Sequence, residues 1–360
     1  MGELIIPEQP DLKSMLLPEL NEYLSAMGEK PYRARQLYEW MHVRLAAFYE
    51  EMTSLPASLR TALSQQAPLT AAEPVQILTS KLDGTSKYLF RLPDGNVIES
   101  VLMHYRHGNS VCISSQVGCA MGCRFCASTI GGKVRSLLPS EMLEQIYRIR
   151  NLTGERVSNV VVMGTGEPLD NYENLIRFLH MLTDENGQHI SQRSVTVSTC
   201  GLADRIRKLA QEKLQITLAL SLHGATQEKR EKLMPVAKRY RLDDVLDACR
   251  YYFDQTGRRV TLEYALVHGQ NDSMEDAFNL ARIAGNLHCH VNLIPVNPVK
   301  ERDYERPSRA MVNSFMKTLS ERGVNATVRR EMGADISGAC GQLRRGYTQD
   351  PLRMPKEGGA

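Results

Sequence analysis

Three cysteines stand close together in the run Gly-Cys-Ala-Met-Gly-Cys-Arg-Phe-Cys. Cys119, Cys123 and Cys126 have the spacing C-x3-C-x2-C, which lets one loop fold around an edge of an iron–sulfur cubane. A four-iron cluster has four corners, so one iron receives no cysteine from this motif. An open iron can bind the amino and carboxylate groups of S-adenosylmethionine, and the run therefore indicates radical chemistry.

Two other interpretations of the three cysteines stay open at this point. A tetrahedral zinc site needs a fourth ligand close by, and no His or Cys follows at the spacing typical of a zinc finger. Three ordinary thiols grouped by chance is the other possibility. The cluster interpretation is favoured because the spacing serves it without a further ligand.

Composition indicates a protein of a reducing compartment. The 360 residues include eight cysteines, three of them in the candidate cluster motif, which fits cytosolic thiols better than a disulfide scaffold. No apolar run is long enough for a membrane span, and the N-terminus lacks the pattern of a secretory signal. We therefore expect a cytoplasmic protein with no membrane association.

Charge alone does not identify a polyanion as partner. The formal net charge is +3, which tolerates nucleic acid but does not require it. The first 75 residues are acid-rich, and the nearest thing to basic patches is the pairs Arg329-Arg330 and Arg344-Arg345. Each pair fits a solvated face as well as it fits RNA contact.

The elements that must position the cysteines fall into four regions. Hydrophobic periodicity and turn signals predict a helical N-terminal accessory domain, an antiparallel β meander, an α/β core and a flexible tail, with these limits: 1–75, 76–104, 105–346 and 347–360. In the core, strands alternate with helices, which predicts parallel strands with crossover helices. We expect a partial or complete parallel β/α barrel with a small N-terminal α+β domain. A doubly wound open sheet is the alternative, although its G-x-G-x-x-G turn is absent.

Polar or glycine-containing ends recur on successive predicted strands. In a barrel the carboxyl ends of the strands meet at one rim, where the chemistry takes place. The candidates at this rim are Gly166 and Glu167, Ser198, Ser221 and His223, and Asn297. Each of them could instead be a helix cap or a turn former.

Several motifs together resemble a known family. CAMGCRFCAS followed by GTGEP is similar to the radical S-adenosylmethionine core. VCISSQVGC, SLHG, CHVNLIPVNPVKERDY and GACGQL closely resemble the RlmN/Cfr family of RNA adenine methyltransferases. The likeness runs from about Glu99 to Leu343 and also includes PYRARQLYEW in the N-terminal region.

The resemblance implies a role for individual residues of this chain. It assigns Cys119, Cys123 and Cys126 to a [4Fe-4S] cluster. It implies that Cys340 is the cysteine methylated during turnover, Cys112 its resolving partner in a disulfide, and Glu99 a proton acceptor. The positions implied for binding S-adenosylmethionine are Gly166, Glu167, Ser198, Ser221, Leu222, His223 and Asn297.

By pattern alone, two of these assignments would read differently. Cys112 alternates with apolar neighbours in a strand, where a lone cysteine is usually a small core hydrophobe. Glu99 also lies in a strand, and a solvent-facing side chain is its default interpretation. Cys340 lies in a glycine-rich loop, where a thiol can react. Cys200, Cys249 and Cys289 resemble ordinary buried thiols.

The implied reaction explains why a protein-bound methyl group is needed. C2 of adenine is electron-poor and cannot attack a methyl sulfonium, whereas the thiolate of Cys340 can accept the methyl group. A 5′-deoxyadenosyl radical would then take hydrogen from methylated Cys340, and the carbon radical would add to C2. Glu99 would remove the C2 proton, and Cys112 would attack the sulfur of Cys340 to form a disulfide and release the base.

Reaching C2 requires an unstacked adenine, so the substrate is a loop or a flipped base. The resemblance implies 23S rRNA at the peptidyl-transferase loop and tRNA at the adenosine 3′ to the anticodon. We also expect an electron donor such as flavodoxin or ferredoxin, and a monomer. The N-terminal region would grip the RNA, although its acidity fits that role poorly.

Three rival activities remain. The first is Cfr-type methylation at C8 of the same rRNA adenosine with antibiotic resistance, against which Val117 and NLIPVNPVKERDY count, since Cfr-like sequences tend to carry a cysteine at the former position. The second is a radical enzyme acting on a peptide or small molecule, which would not need GACGQL. The third is an iron–sulfur electron-transfer protein, which would leave the GEP turn and Cys340 without a purpose.

Overall fold

A computed structural model describes residues 9–297, 299 and 301–336 of the chain. The α-helices of these residues are α1 (Leu17–Ala26), α2 (Tyr32–His42), α3 (Ala57–Gln66), α4 (Pro139–Thr153), α5 (Tyr172–Thr183), α6 (Ala203–Gln211), α7 (Gln227–Leu233), α8 (Leu242–Thr256), α9 (Met274–Gly285) and α10 (Arg309–Glu321). The strands are β1 (Glu73–Thr79), β2 (Ser86–Arg91), β3 (Val97–Tyr105), β4 (Gly108–Cys112), β5 (Gln116–Gly118), β6 (Lys133–Ser136), β7 (Val157–Val162), β8 (Val195–Thr199), β9 (Thr217–Ser221), β10 (Val260–Leu266), β11 (Cys289–Pro295) and β12 (Ala326–Val328). Within this part of the chain, none of the helices combines the length and apolar character that a membrane span requires.

The main sheet of the described residues has ten strands, in the order β1-β2-β3-β4-β7-β8-β9-β10-β11-β12. Strands β1 to β4 pair antiparallel, and every ladder from β4 onward in this sheet is parallel. Since the parallel strands follow one another in chain order, each helical crossover advances by one strand in the same direction. That winding is typical of a β/α barrel and rules out the doubly wound alternative.

The barrel is partial. No ladder joins β12 to β1 within the described ranges, so these two strands form the edges of the sheet. The predicted α/β class and parallel barrel core are confirmed. Periodicity predicts core helices that agree with α4, α5, α6 and α8 to α10 to within one or two residues, because each has a clear apolar stripe and a polar or glycine boundary. The predicted ranges are 140–151, 171–183, 202–211, 241–255, 273–286 and 309–322.

The two faces of the parallel sheet differ in polarity. Residues such as Val160, Val197 and Leu218 are fully buried and pack in the main hydrophobic core. Alternate positions on the parallel strands face the interior of the barrel and include Cys112, Ser198, Ser221, Glu263 and Asn292. Glu263 pairs with Ser221 on one side and with Asn292 on the other, and Ser198 pairs with the residue two positions before Ser221. Side chains alternate between the faces of a strand, so the apolar positions build the core and the polar ones line the interior.

A short hairpin that the sequence patterns did not predict holds the cysteine run. Strands β5 and β6 pair antiparallel and form a separate two-stranded sheet, with the cysteine run in the loop between them. Gly118 has φ +77°, and a Cβ there would lie 2.0 Å from the carbonyl oxygen of Gly132. Only glycine permits this close approach at the base of the loop.

The N-terminal helices dock on the barrel through buried polar contacts. Lys13 and Glu144 form an ion pair of 2.6 Å with neither side chain exposed. The Lys13 ammonium also donates to the carbonyl oxygen of Thr70 at 2.9 Å. Burial raises the pKa of Glu144, but Lys13 and Arg148 outweigh that effect and hold the pKa below its usual value. The pair therefore joins the first residues of the described chain to α4; the domain limits given above stay predictions.

Replacing Lys13 tests this anchoring. The substitution Lys13→Met leaves the buried Glu144 carboxylate with only Arg148 as its cation, and we expect the free energy of unfolding to fall by about 3 kcal/mol. The matched control is Lys317→Met, which breaks an exposed pair with Glu321 and should cost less than about 0.5 kcal/mol. Urea titration followed by circular dichroism measures both. Equal losses in the two variants would show that the Lys13 pair does not anchor the region.

Candidate active site

The three-cysteine loop is shaped by its own backbone. The N–H of Cys119 donates to the carbonyl oxygen of Gly132 at 3.1 Å, and that of Cys126 donates to the carbonyl oxygen of Cys123 at 3.2 Å. The Thr129 hydroxyl donates to the carbonyl oxygens of Cys123 and Cys126, both at 3.0 Å. These bonds hold the three cysteines on one tight turn.

The three thiols are suited to an iron–sulfur cluster. All three line one cavity of about 140 Å³ together with residues of the strand ends. Burial raises the pKa of Cys119 to about 12, with a further contribution from Cys126, and burial and the other two thiols raise that of Cys123. The three thiols therefore interact electrostatically across the cavity that they line. A cationic metal centre would reverse these shifts by binding the thiolates, so the residues fit the group that the motif predicts.

The Gly-Glu-Pro turn after β7 lies against the chain that precedes the cysteine loop. Gly166 has φ +119°, and a Cβ there would approach the Ser115 hydroxyl to 2.6 Å, so this position requires glycine. The Glu167 carboxylate is buried and accepts from the N–H groups of Cys200 at 2.7 Å and Leu169 at 3.1 Å. Burial raises the pKa of Glu167, and these N–H donors counteract part of the rise. Glu167 therefore joins the end of β7 to the end of β8.

Arg230 on α7 organises the same rim, and sequence reasoning missed it. Its guanidinium is fully buried and donates to the carbonyl oxygens of Ser221 at 2.9 Å and Leu222 at 2.6 Å, and to that of Cys200. The carbonyl oxygen of Leu233, at the end of α7, accepts from the N–H of Arg124 in the cysteine loop at 2.9 Å. One short helix thus connects two strand ends with the cysteine loop.

The SLHG segment places a neutral histidine over the cysteine loop. His223 has φ +51°, and its ring meets that of Phe125 edge-on at 5.0 Å. Its Nδ1 accepts from the N–H of Ala265 at 2.9 Å, which leaves the proton on Nε2. Burial, assisted by Arg230, lowers the pKa of His223 to about 3. The ring is therefore a neutral donor at physiological pH.

A second cavity, of about 280 Å³, brings many of the sequence-predicted residues together. Cys112, Ser198, Ser221, His223 and Asn297 line it, together with Cys126 of the cysteine loop. The hydroxyls of Ser198 and Ser221 lie 3.2 Å apart. Gly166, Glu167 and the other two cysteines line the adjoining cavity. Leu222 is fully buried and does not line either cavity. The residues shared by the two cavities make one continuous site.

Glu99 is not the surface glutamate that its pattern alone would indicate. Its side chain is 3% exposed and forms an ion pair of 3.0 Å with Lys87, which is not exposed at all. The carbonyl oxygen of Glu99 accepts from the Ser114 hydroxyl at 2.7 Å, which places this residue level with the carboxyl end of β4. Val101, two residues on, pairs with Cys112. Glu99 therefore lies on the same face of the sheet as Cys112, two residues along β3 from the position that pairs with it.

Glu263 is a further buried group that sequence reasoning missed. It lies on β10, is 6% exposed and lines the larger cavity. Asn292 on β11 donates to its carboxylate at 2.9 Å. Burial raises the pKa of Glu263, and Arg329 counteracts it. An alternating strand sequence gives no sign of a carboxylate that faces inward, so no local signal could have found it.

Cys340 lies outside the described residues. The sites implied for Cys112, Glu99, the cluster cysteines and the cofactor positions all lie within them. Cys200, to which the sequence pattern assigns no role, is buried and lines the smaller cavity with Cys119, Cys123 and Cys126.

Comparisons with known proteins agree with this geometry. The family model described as "Radical SAM superfamily" matches residues 113–281. The model described as "Ribosomal RNA large subunit methyltransferase N-terminal domain" matches residues 10–69. A solved radical SAM methyltransferase from Sphaerobacter thermophilus is 45% identical and superposes with a TM-score of 0.89, covering 92% of this chain and 98% of that chain.

Curated relatives match over nearly their whole length. A probable dual-specificity RNA methyltransferase RlmN from Lachnospira eligens is 58% identical over 94% of this chain and 97% of the relative. One from Lachnoclostridium phytofermentans is 55% identical over 96% of this chain and 98% of the relative. With the barrel, the cysteine loop and the converging strand ends described above, these matches show that the chain belongs to the RlmN family of radical SAM RNA methyltransferases.

Proposed function

We propose that this enzyme methylates C2 of an adenosine in 23S rRNA and of the adenosine 3′ to the anticodon in tRNAs, through a methylcysteine intermediate at Cys340. The observation that carries the proposal is the convergence of Cys112, Ser198, Ser221, His223 and Asn297 on one cavity that Cys126 also lines. A resolving thiol is needed beside the radical source only if the methyl group passes through a cysteine of the protein.

The cofactors in this proposal are a [4Fe-4S] cluster on Cys119, Cys123 and Cys126 and S-adenosylmethionine. When bound, they supply the methyl group and the carbon radical that starts the transfer. The strand-end groups hold the cofactor in place: the Ser198 and Ser221 hydroxyls can donate or accept. His223 can donate from Nε2 because its Nδ1 is engaged with the N–H of Ala265.

Two groups inside the barrel would complete the transfer. Glu99 accepts the proton from C2, and its contact of 3.0 Å with Lys87 supports the role because it fixes the position of the carboxylate. The adduct that radical addition leaves carries one unpaired electron, and the iron–sulfur centre held by Cys119, Cys123 and Cys126 would take up that electron. The thiolate of Cys112 then attacks the sulfur of Cys340. The sulfur–carbon bond of Cys340 breaks, its electron pair leaves with the carbon that becomes the new methyl group, and that carbon takes up a proton.

Two basic surfaces support RNA as the substrate. Arg329 and Arg330 are exposed and line the cavity, whereas Arg306 at the same wall is paired with Glu331 at 2.7 Å. Two cations therefore lie beside the route by which a flipped base would enter. On α2, Tyr32 is 49% exposed and the guanidinium of Arg33 lies 4.8 Å from its ring centroid. An exposed aromatic ring with a stacked guanidinium is a surface on which an unpaired base can stack.

The remaining expectations follow from this substrate and chemistry. Each turnover consumes electrons, so we propose a protein donor such as flavodoxin or ferredoxin. We further propose that the protein is cytoplasmic, because rRNA and tRNA are found in that compartment. We also propose that it acts as a monomer. Methylation at C8 instead of C2 is the alternative that the first experiment distinguishes.

The reconstituted enzyme should form 2-methyladenosine. We expect the product when anaerobic protein is incubated with S-adenosylmethionine, a reductant and fragments of 23S rRNA or tRNA. Mass spectrometry of the digested nucleosides measures it. Finding only 8-methyladenosine would assign the C8 activity, and finding no methylated adenosine would overturn the proposed function.

Replacing the resolving thiol should trap the reaction halfway. In Cys112→Ala nothing attacks the sulfur of Cys340, so we expect a covalent protein–RNA adduct and at least a hundredfold loss of turnover, seen as a shifted band on denaturing gels. The matched control is Cys289→Ala. It removes a thiol at the first residue of β11, at the end of the strand opposite the active-site rim, and should leave turnover unchanged. Normal turnover by Cys112→Ala would show that Cys112 does not resolve the intermediate.

Removing a cation at the cavity should weaken RNA binding without changing sequence preference. For Arg330→Ala we expect the slope of log affinity against log salt concentration to become less steep by about 1. Filter binding of an rRNA fragment between 50 and 200 mM salt, about the range over which such contacts act, measures the slope. Arg282→Ala, an exposed arginine on α9, is the control and should leave it unchanged. An unaltered slope for Arg330→Ala would exclude a phosphate contact there.

A further inference from the structure

The chain returns across the open side of the barrel after β12. Residues 329–336, here called the return segment, contact the turn between β1 and β2 (residues 80–85). The contacts join positions about 250 residues apart in sequence. The return segment therefore bridges the two edges of the sheet that no ladder joins within the described residues.

Two aspartates make these contacts reciprocally. The Asp335 carboxylate accepts from the hydroxyl of Ser80 at 2.5 Å and from the N–H of Lys81 at 2.9 Å. The Asp83 carboxylate accepts from the N–H of Gly333 at 3.0 Å and from the N–H of Thr85 at 3.0 Å. Each segment thus lends a carboxylate to the other, and we call this set of contacts the aspartate clamp.

The electrostatics of both carboxylates agree with this geometry. The Ser80 hydroxyl and the Lys81 N–H lower the pKa of Asp335. Burial alone would raise the pKa of Asp83, but the N–H donors of Gly333 and Thr85 lower it to about 2. Both acceptors are therefore ionised at neutral pH, and hydrogen bonds to charged acceptors are stronger than neutral ones.

Backbone geometry adds a third element. Gly333 has φ +62°, and a Cβ there would lie 3.1 Å from Ile336 and 3.2 Å from Thr85. The return segment therefore turns sharply against Thr85, which is 1% exposed. The packing of Gly333 against Thr85 and its hydrogen bond to Asp83 hold the same residue of the return segment in place.

The clamp lies at the wall of the candidate active site. Thr85 of the β1–β2 turn lines the larger cavity, and so does Cys112. Four successive residues of the return segment line it as well, namely Arg329, Arg330, Glu331 and Met332. Cys340 follows Ile336 by four residues, which span at most about 14 Å when fully extended.

We propose that the aspartate clamp is a positioning device that fixes the start of the Cys340-bearing segment beside the cavity, and that Asp335 and Asp83 are positioning residues for the methyl-transfer cycle. The inference rests on the proposed function, because it gives Cys340 its task. Clamped at Asp335, the chain to Cys340 is five residues long, whereas without that contact the nearest remaining anchor is Gly333, held by Asp83, which lies seven residues before Cys340. Loop-closure entropy scales with the 3/2 power of length, so the Asp335 contact should raise the effective concentration of Cys340 at Cys112 by a factor of about 1.7.

The test compares Asp335→Ala with two variants of the anaerobic holoenzyme. Asp335 is exposed, so its replacement should leave the fold intact, which thermal unfolding checks. Asp335→Asn keeps one of the two acceptors and should lie between the unaltered protein and the alanine variant. The matched control is Asp254→Ala, an exposed carboxylate on the outer helix α8.

The first readout does not depend on turnover. In a glutathione buffer the Cys112 and Cys340 thiols give two electrons and two protons to oxidised glutathione, which becomes two molecules of reduced glutathione. Alkylation and mass spectrometry measure the equilibrium. We expect Asp335→Ala to lower the equilibrium constant for the disulfide by a factor of about 1.7, and Asp254→Ala to leave it unchanged.

The second readout is the division between kcat and KM. We expect Asp335→Ala to lower kcat by about the same factor with KM for the RNA unchanged, because the clamp acts on Cys340 and not on RNA binding. The proposal is overturned if Asp335→Ala matches Asp254→Ala in both readouts, or if only KM changes. Absence of methylated adenosine with the unaltered protein would instead count against the proposed function, while the glutathione equilibrium would still report on the clamp.

Discussion

The buried guanidinium of Arg230 is the interaction on which the active-site end of the barrel depends. Three carbonyl oxygens, from the ends of β8 and β9, accept from it, and the end of its helix accepts from the cysteine loop. A buried cation is costly unless strong acceptors surround it. Here the acceptors are backbone carbonyl oxygens at the strand ends. The charge therefore holds Cys200, Ser221 and Leu222 in one arrangement, and the Glu167 carboxylate, bound to the N–H of Cys200, extends it to β7.

The N-terminal acidity that seemed to oppose RNA binding has a structural explanation. Many of the acidic side chains in this region are engaged within the protein. Glu19 pairs with Arg177 of α5 and accepts from the N–H of Leu16, and Glu51 accepts from two backbone N–H groups at the start of its own turn. Glu39 pairs with Arg44. Carboxylates neutralised in this way present less negative charge to a polyanion than a count of residues indicates.

Much of the fold could be predicted from sequence because it is encoded locally. Helices α4 to α6 and α8 to α10 have apolar stripes and boundary residues, and the alternation of strand and helix implies parallel pairing, which in turn gathers Ser198, Ser221 and Asn297 at one rim. The parts that sequence missed depend on distant partners. Glu99 looked solvent-facing because Lys87 lies on another strand, and Arg230 looked like a surface residue of a charged helix. The β5–β6 hairpin was missed because its strands are only three and four residues long.

The aspartate clamp also bears on how the molecule is made. Its partners lie about 250 positions apart, whereas neighbouring barrel strands are joined by short crossovers. Domains form from the N-terminus as the chain leaves the ribosome, and contacts of long sequence separation are the slowest to form. The β1–β2 turn can therefore bind Asp335 only after about 250 further residues have been synthesised. During synthesis this side of the barrel stays open until Asp335 has emerged, so solvent reaches the cysteine loop before the wall of its cavity is complete.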